Sequence, residues 1–525
     1  MDFIYKKTGS IFNMHSYWTK QPVDAIEYFI NRFSKKWDTV LDPFAGTGMT
    51  GVAAIKTQRN AILSDISPAC LNIAKGYCTN FETNKRLFEI NSTKETILKD
   101  LNKYYQTKCT HCGETARIKF CILGEIWQSK DKKREENRGE AILNNKGYDS
   151  FNKDYIFKEF RLLKVCYDCG CSKIKQYKTP NNHDIELFKT NEYREYFYPK
   201  DNLFGQEPRR NYKRGIKQVY QLYSPRNLSI LSIISHRINQ ISDRGLKQLF
   251  QFIFTSILFN SSLMSRYREY ENTSIKMGTF YIPPLIKDSN VVENFINKFE
   301  IISKGNAEIF SNNVNSKITF IKESADKLSS IKANQIDYIY TDPPYSDVIS
   351  YSELNIVYES WLKDTTDTKK EMIVSKYQDK NIEYYATQFE NFLKRSRHVL
   401  KNHGYLTLIF HHPDLTHWSH LQKAIVNSKL EPVLSAKPIR LVSRSKTSSQ
   451  HKTQKNTQCF LVFNFQKNNS YKELVLGKLT DKHYIELLRK IKEDAAKEGY
   501  NNKSDCFDYL INYLLFRYEI KDIIL

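Results

Sequence analysis

Ile336-Asp337-Tyr338-Ile339-Tyr340-Thr341-Asp342-Pro343-Pro344-Tyr345 is the stretch on which the reading of this chain turns. Ile336 to Tyr340 is a mostly apolar run of strand length, which predicts a short buried strand. Two consecutive prolines fix the backbone just past the strand end and remove two N–H donors. What remains is acceptor-rich: the Asp342 carboxylate, the carbonyls of Pro343 and Pro344, and the aromatic face of Tyr345. That set suits a planar substrate with an exocyclic NH2 group, two acceptors taking its hydrogens and a ring stacking on its face. Alone, the stretch reads equally well as a strand closed by a Pro-Pro turn.

Far upstream lies Asp38-Thr39-Val40-Leu41-Asp42-Pro43-Phe44-Ala45-Gly46-Thr47-Gly48, running into Met49 to Ile55. The pattern is strand, glycine turn, helix. Glycines let backbone approach a ligand, and the following helix start offers N–H groups and a positive dipole end. Gly46, Gly48 and Gly51 also satisfy G-x-G-x-x-G, a fingerprint shared with dinucleotide-binding enzymes. A second strand, Asn60 to Leu63, leads to Asp65, about twenty residues beyond the loop, where a carboxylate accepts from ribose hydroxyls. An NAD enzyme fits these features as well as a methyltransferase does.

Asp42-Pro43-Phe44 ahead of the turn, together with Asp342 to Tyr345, breaks the tie. The pair resembles the donor loop and DPPY motif of S-adenosylmethionine-dependent DNA amino methyltransferases, which act on adenine N6 or cytosine N4. The longer run DPPYSDVISYSELNIVYESWL, residues 342–362, is similar to their zinc-ribbon, adenine-specific subgroup. The resemblance implies a Rossmann-like, seven-stranded class I methyltransferase sheet. It implies a donor site with Asp42 and Phe44 in its loop, Gly46 and Gly48 lining the methionine moiety and Asp65 on the ribose. The His15 to Pro22 segment then packs beside the donor, and Ser324 or Asp326 meets its adenine. It also implies a catalytic set of Asp342, Pro343, Pro344 and Tyr345, with the target base flipped from the duplex and stacked on Tyr345. The expected activity is site-specific methylation of adenine N6 in DNA, within a restriction-modification or related defence system and with a partner restriction endonuclease. Asp rather than Ser at the first motif position leans towards adenine over cytosine N4. An RNA methyltransferase and a non-enzymatic nucleic-acid-binding protein are the other readings.

Between the two motifs the pattern changes. Cys109-Thr110-His111-Cys112 and Cys166-Tyr167-Asp168-Cys169 are two C-x2-C knuckles, the second followed by Cys171. Four thiolates from two such turns make a tetrahedral structural zinc site, so the expected ligands are Cys109, Cys112, Cys166 and Cys169. The long polar spacer around Gln128 to Glu140 predicts an inserted loop or hairpin. From Tyr220 to Pro284 the patterns are helical, and Arg266, Arg268 and Lys276 are candidates to meet phosphates.

The expected class is therefore α/β: a class I methyltransferase sheet split by a zinc-ribbon and helical insertion. Its first half is 1–85, the insertion 86–315 (ribbon about 105–175), its second half 316–466, and a helical extension 467–525. Strands are expected at 38–42, 60–65, 316–321, 336–341, 405–411 and 457–465. The composition agrees. A chain of 525 residues, 40% hydrophobic, buries a sizeable core, and a formal charge of +22 points to a polyanionic partner such as DNA. No uncharged apolar stretch of about 18 residues is present, and MDFIYKKTGSIF has no apolar signal core. The expectation is a cytoplasmic, nucleoid-associated protein whose ten cysteines are thiols or metal ligands.

Overall fold

The computed structural model describes residues 2–5, 9–81, 86–131, 134–144, 155–269, 275–276, 278–311, 315–434, 439–443, 459–471, 473–478, 480–497 and 503–520. Its centre is a mixed sheet. In spatial order the strands are Asp2–Tyr5, Ile439–Ser443, Cys459–Gln466, Leu400–Phe410, Ile336–Thr341, Thr39–Asp42, Asn60–Ser64 and Ile318–Ile321. All pair in parallel except Cys459–Gln466, which runs antiparallel to both neighbours and also takes the short Glu431–Pro432 strand.

The six strands expected from the sequence are all present. Asp2–Tyr5, Glu431–Pro432 and Ile439–Ser443 were not anticipated, being short segments with little alternation. The strand expected at 405–411 begins earlier, at Leu400, directly after the Ile382–Val399 helix, with a register break on Ile336–Thr341 and His403 at positive φ.

The connection order creates the site. From Thr39–Asp42 the chain steps outward to Asn60–Ser64 and Ile318–Ile321. It then returns to lay Ile336–Thr341 on the other flank of Thr39–Asp42. Successive loops leave in opposite directions there, opening a crevice at the strand carboxyl ends. Val40 pairs with Tyr338 and Leu41 with Ile339, so the turn after Asp42 and the Asp342 motif open side by side.

Strand alternation fixes what covers each face. Val40, Tyr338 and Tyr340 point into one core, shared with Phe252, Ile253 and Phe295 of the insertion. Leu41 and Ile339 point into the other, with Trp418, Phe463 and the C-terminal residues Leu488, Ile511 and Leu514. The insertion helices Pro225–Asn239, Arg244–Ile257 and Val291–Ile309 thus form one face layer of the sheet, and Asp481–Lys497 and Lys503–Leu514 cover part of the other. Helix starts follow their local chemistry: Ser224 caps before Pro225, and Asp243 accepts from the Leu246 N–H at 2.7 Å.

The remainder of the insertion is an antiparallel sheet. A long hairpin, Thr115–Ser129 with Tyr155–Asp168, supports the short strands Gln106–Lys108, Gln176–Lys178, Glu135–Asn137 and Leu285–Ser289. A fully buried pair, Arg226 with Asp288 at 2.7 Å, ties a helix of this region to its sheet. No helix among the described residues is long and apolar enough to cross a membrane.

Candidate active site

The crevice holds a cavity of about 130 Å³. One wall is the turn after Thr39–Asp42. Burial pushes the Asp42 carboxyl up to about 7, against the opposing effect of a hydrogen bond from Thr50 Oγ1 at 2.5 Å and another from the Phe44 N–H at 3.1 Å. Asp65 lies at the end of the next strand. Its two oxygens accept from the Gly46 N–H and the Ser67 N–H, both at 2.9 Å, and burial raises its pKa to about 6. Asp42, Phe44, Gly46 and Asp65 all line the cavity.

Gly46 has φ +49, and a Cβ there would have only the Phe44 carbonyl within 4 Å. Open backbone of this kind is what a ligand-facing turn requires. Gly48 has another task. It caps the Met49–Lys56 helix in the left-handed region, and a Cβ would sit 2.7 Å from the Ala74 Cβ. Gly48 is absent from the cavity wall, whereas Gly46 is part of it.

The facing wall carries the Asp342 motif. Asp342 accepts from the Tyr345 hydroxyl at Oδ1 and from Gln21 Nε2 at Oδ2, and burial raises its pKa to about 6. Asp342 and Pro344 line the cavity. The Pro344 carbonyl accepts from the Tyr385 hydroxyl at 2.7 Å, whereas the buried Pro343 carbonyl has no hydrogen-bond donor among the described residues. Tyr345 departs from expectation. Its ring packs against Phe410 and Phe460, at centroid distances of 5.5 and 5.7 Å, and is no open platform; its hydroxyl is spent on Asp342.

Sequence reasoning reached the region of the remaining wall but not its individual residues. Tyr17, Thr19, Lys20 and Gln21 face the cavity from the segment leading to the Val23–Phe33 helix. Tyr351, Ser352 and Asn355 face it from the Tyr351–Leu362 helix. Asn355 is fully buried and joins three pieces: it accepts from Trp18 Nε1 at 3.0 Å and donates to Tyr17 and Ser67 hydroxyls, each at 3.1 Å. One turn on, buried Glu359 accepts from Ser67 at 2.6 Å and from the Thr366 N–H at 2.8 Å. The sequence signal was polar residues at helical spacing in an otherwise apolar stretch. Ser324 and Asp326 both line the cavity, and the Ser324 hydroxyl bonds to Asp326.

A ring-stacked pair lies just outside. His412 and His417 have centroids 3.5 Å apart, and His412 Nε2 is 3.1 Å from Asp347 Oδ1. The Asp414 N–H donates to His412 Nδ1, so Nε2 carries the hydrogen and donates to Asp347. The arrangement pins the loop after Tyr345 to the end of the Leu400–Phe410 strand.

The thiol cluster forms at one end of the insertion sheet with one member changed. Cys109, Cys112, Cys169 and Cys171 hold their sulfurs within 4.8 Å of one another. Cys109 Sγ is 3.7 Å from Cys171 Sγ, and Cys112 Sγ is 3.4 Å from Cys169 Sγ. A tetrahedral zinc with Zn–S bonds of about 2.3 Å needs sulfurs about 3.8 Å apart, so the donor set fits. Cys166 is excluded. It belongs to the Tyr155–Asp168 strand, and its side chain points away from Tyr167 into a cluster with Phe120, Ile122 and Leu285. Tyr167 takes the other face, with Cys109 and Cys169. The working spacing is C-x2-C with C-x-C, and Cys171 replaces Cys166.

The family model described as DNA methylase (N6_N4_Mtase) matches residues 4–76, the segment that carries the Gly46 turn and Asp65. The type II methyltransferase M.MjaII of Methanocaldococcus jannaschii is 23% identical over 366 residues, covering 66% of this chain and 61% of that protein. Over these stretches the chain is similar to DNA methyltransferases. It spans about three fifths of that curated relative's length. Among solved structures, the aminoglycoside resistance methyltransferase NpmB1 is 14% identical over 29% of this chain and 61% of its own, at a TM-score of 0.15. A methyltransferase homolog from Pyrococcus horikoshii is 14% identical over 33% and 50%, at a TM-score of 0.18. At such scores the α/β assignment rests on the sheet order, and the methylase relationship on the two sequence matches.

Proposed function

We propose that the protein is a site-specific DNA methyltransferase that transfers a methyl group from S-adenosylmethionine to adenine N6 after flipping the base. The observation that carries the reading is Asp342: an acceptor set in a switch-point cavity, opposite the open turn at Gly46 and Asp65. The bound donor would supply an electrophilic methyl group on a sulfonium. On the protein side, Gly46 leaves room for the donor and Asp65, a carboxylate with lone pairs beyond its two backbone bonds, accepts from its ribose.

An adenine amine is a weak nucleophile because its lone pair is delocalised into the ring. Asp342 and the Pro343 carbonyl accept its two hydrogens, favouring a pyramidal nitrogen with a directed lone pair. Catalysis is then positioning and electrostatics, and needs no covalent intermediate. Asp342 acts as an acceptor when ionised, so turnover falls as pH drops through about 6. The four-cysteine cluster holds a structural zinc that stiffens the insertion, which with its exposed Arg266 meets the DNA backbone. A cytoplasmic role in restriction-modification, beside a partner endonuclease, follows from the same reading.

The test is incubation with unmethylated DNA and methyl-labelled S-adenosylmethionine, then digestion to nucleosides and mass spectrometry. N6-methyladenine is the expected product. N4-methylcytosine would reassign the base, labelling of RNA alone would reassign the substrate, and no transfer to any nucleic acid would remove the proposal.

A further inference from the structure

Among the described residues, Gln21 is the one that binds the Asp342 carboxylate from outside the motif. It sits immediately before Pro22, which starts the Val23–Phe33 helix, and proline holds the residue before it in an extended conformation. The side chain reaches across the cavity to donate through Nε2 to Asp342 Oδ2. Its other end is unusual. Gln21 Oε1 is buried and has no hydrogen-bond partner among the described residues. A buried amide oxygen left unpaired costs stability, and such atoms are scarce in folded proteins. Turning the amide over would set Oε1 against the Asp342 carboxylate, two acceptors face to face. The orientation is therefore fixed by Asp342, and the free carbonyl is left for a donor that arrives with a ligand.

We propose that Gln21 is a positioning residue for catalysis: Nε2 orients Asp342 and holds it ionised, and Oε1 accepts an N–H from a bound substrate. The inference rests on the reading of Asp342 as the acceptor of the target amine. Both ligands of that reaction offer such a hydrogen: the methyl donor through its ammonium group, or the target base through one hydrogen of its exocyclic amine, in which case Oε1 takes the place of the Pro343 carbonyl. Filling Oε1 fixes Gln21, and Gln21 fixes the catalytic carboxylate, so substrate binding itself completes the site. Energetically this is preorganisation: the cost of the unpaired oxygen is relieved only in the occupied enzyme.

The two ends of the side chain are separable. Gln21→Leu removes both donor and acceptor at nearly constant volume. Gln21→Glu keeps an acceptor but sets a second carboxylate beside Asp342. A hydrogen bond to the charged form lowers a carboxyl pKa and a neighbouring like charge raises it. The other titratable groups on the cavity walls keep their identity in both variants: the carboxyls of Asp42, Asp65, Asp326 and Glu371, the amines of Lys20 and Lys370, Cys70, and Tyr17, Tyr340 and Tyr351.

The experiment measures kcat and KM against pH with DNA and S-adenosylmethionine for the full-length protein and both variants. Gln21→Leu is expected to move the acid limb of the profile up by about one pH unit, with activity recovering at alkaline pH. Gln21→Glu should move it further. Calorimetry with S-adenosylmethionine and with 5′-methylthioadenosine, which lacks the amino-acid group, locates the Oε1 partner. Weaker binding of the first ligand alone identifies the ammonium, whereas unchanged binding with a raised KM for DNA identifies the base amine. An unshifted acid limb in both variants overturns the proposal, as does an equal loss of kcat at every pH. A wild-type protein that transfers no methyl group at any pH refutes the reading of Asp342 itself, a result separate from an active wild type with an unshifted Gln21→Leu.

Discussion

Asp342 and Asp65 line one cavity; Asp342 is held by Tyr345 and Gln21, and Asp65 by the N–H groups of Gly46 and Ser67. Their roles separate under mutation. Asp342→Ala is expected to lower kcat by at least a hundredfold while leaving the rise in melting temperature on adding S-adenosylmethionine largely intact. Asp65→Ala should do the reverse, removing most of a stabilisation of about 2.7 kcal/mol at a hundredfold excess of ligand over Kd. Calorimetric melts with and without donor, read beside turnover, check both; wild-type turnover in Asp342→Ala would exclude it from the chemistry. Asp42 makes a stability prediction. Its carboxyl is raised to about 7 by burial, so the folded state binds a proton that the unfolded chain releases near pH 4. Between these values the folded state holds more protons, and stability falls with rising pH by up to about 1.4 kcal/mol per unit from this group. Asp42→Asn should flatten that slope between pH 5 and 7 in urea melts. An unchanged slope would mean that Asp42 is ionised in the folded protein.

At the scale of the element, one contact that unites insertion and core is that of the Pro68–Cys78 and Arg244–Ile257 helices. It depends on Gly76, where a Cβ would come within 2.2 Å of Phe252. Phe252 is fully buried, with Tyr77 against its ring at 5.2 Å, so it has nowhere to move. Gly76→Ala should destabilise the protein by about 1–3 kcal/mol through overpacking. Adding Phe252→Leu should recover part of the loss, and chemical denaturation of the single and double variants measures the coupling. Additive losses would show that the helices do not meet as described. The Tyr351–Leu362 helix behaves differently: its buried polar residues Glu353, Asn355 and Glu359 hold loops in place through hydrogen bonds.

At the scale of the whole molecule, the cysteine cluster anchors the far end of the insertion sheet, beside the Gln106–Lys108 and Gln176–Lys178 strands. A thiolate cage there makes metal-binding energy into folding energy. Elemental analysis of the purified wild type should give one zinc per chain. Cys171→Ser and Cys112→Ser should lower that content and weaken DNA binding, with donor binding little changed because Gly46 and Asp65 belong to the central sheet. Cys166→Ser should keep its zinc and lose only packing stability, on the order of 1 kcal/mol. A Cys166→Ser protein stripped of metal would restore the C-x2-C pairing, and a fully active wild type free of zinc would end the metal assignment.

The sequence by itself determined the two loops at strand ends, the α/β class and the presence of a cysteine cluster. Each is a local matter: Asp42 to Gly48 and Ile336 to Tyr345 declare strand, turn and acceptor through backbone restrictions acting over a few residues. Tertiary structure alone decided which residues meet. Gln21 and Asp342 are 321 positions apart, and nothing in the spacing of either indicates the bond between them. Spacing favours Cys166 over Cys171, which lies close to Cys169, yet strand alternation decides otherwise and turns Cys166 into an apolar cluster before the chain reaches the knuckle. Gly48 reads as a ligand glycine from its motif, yet it is glycine because Ala74 lies against it. Motif chemistry is written along the chain, whereas partners, faces and close approaches arise only when the sheet brings distant segments together.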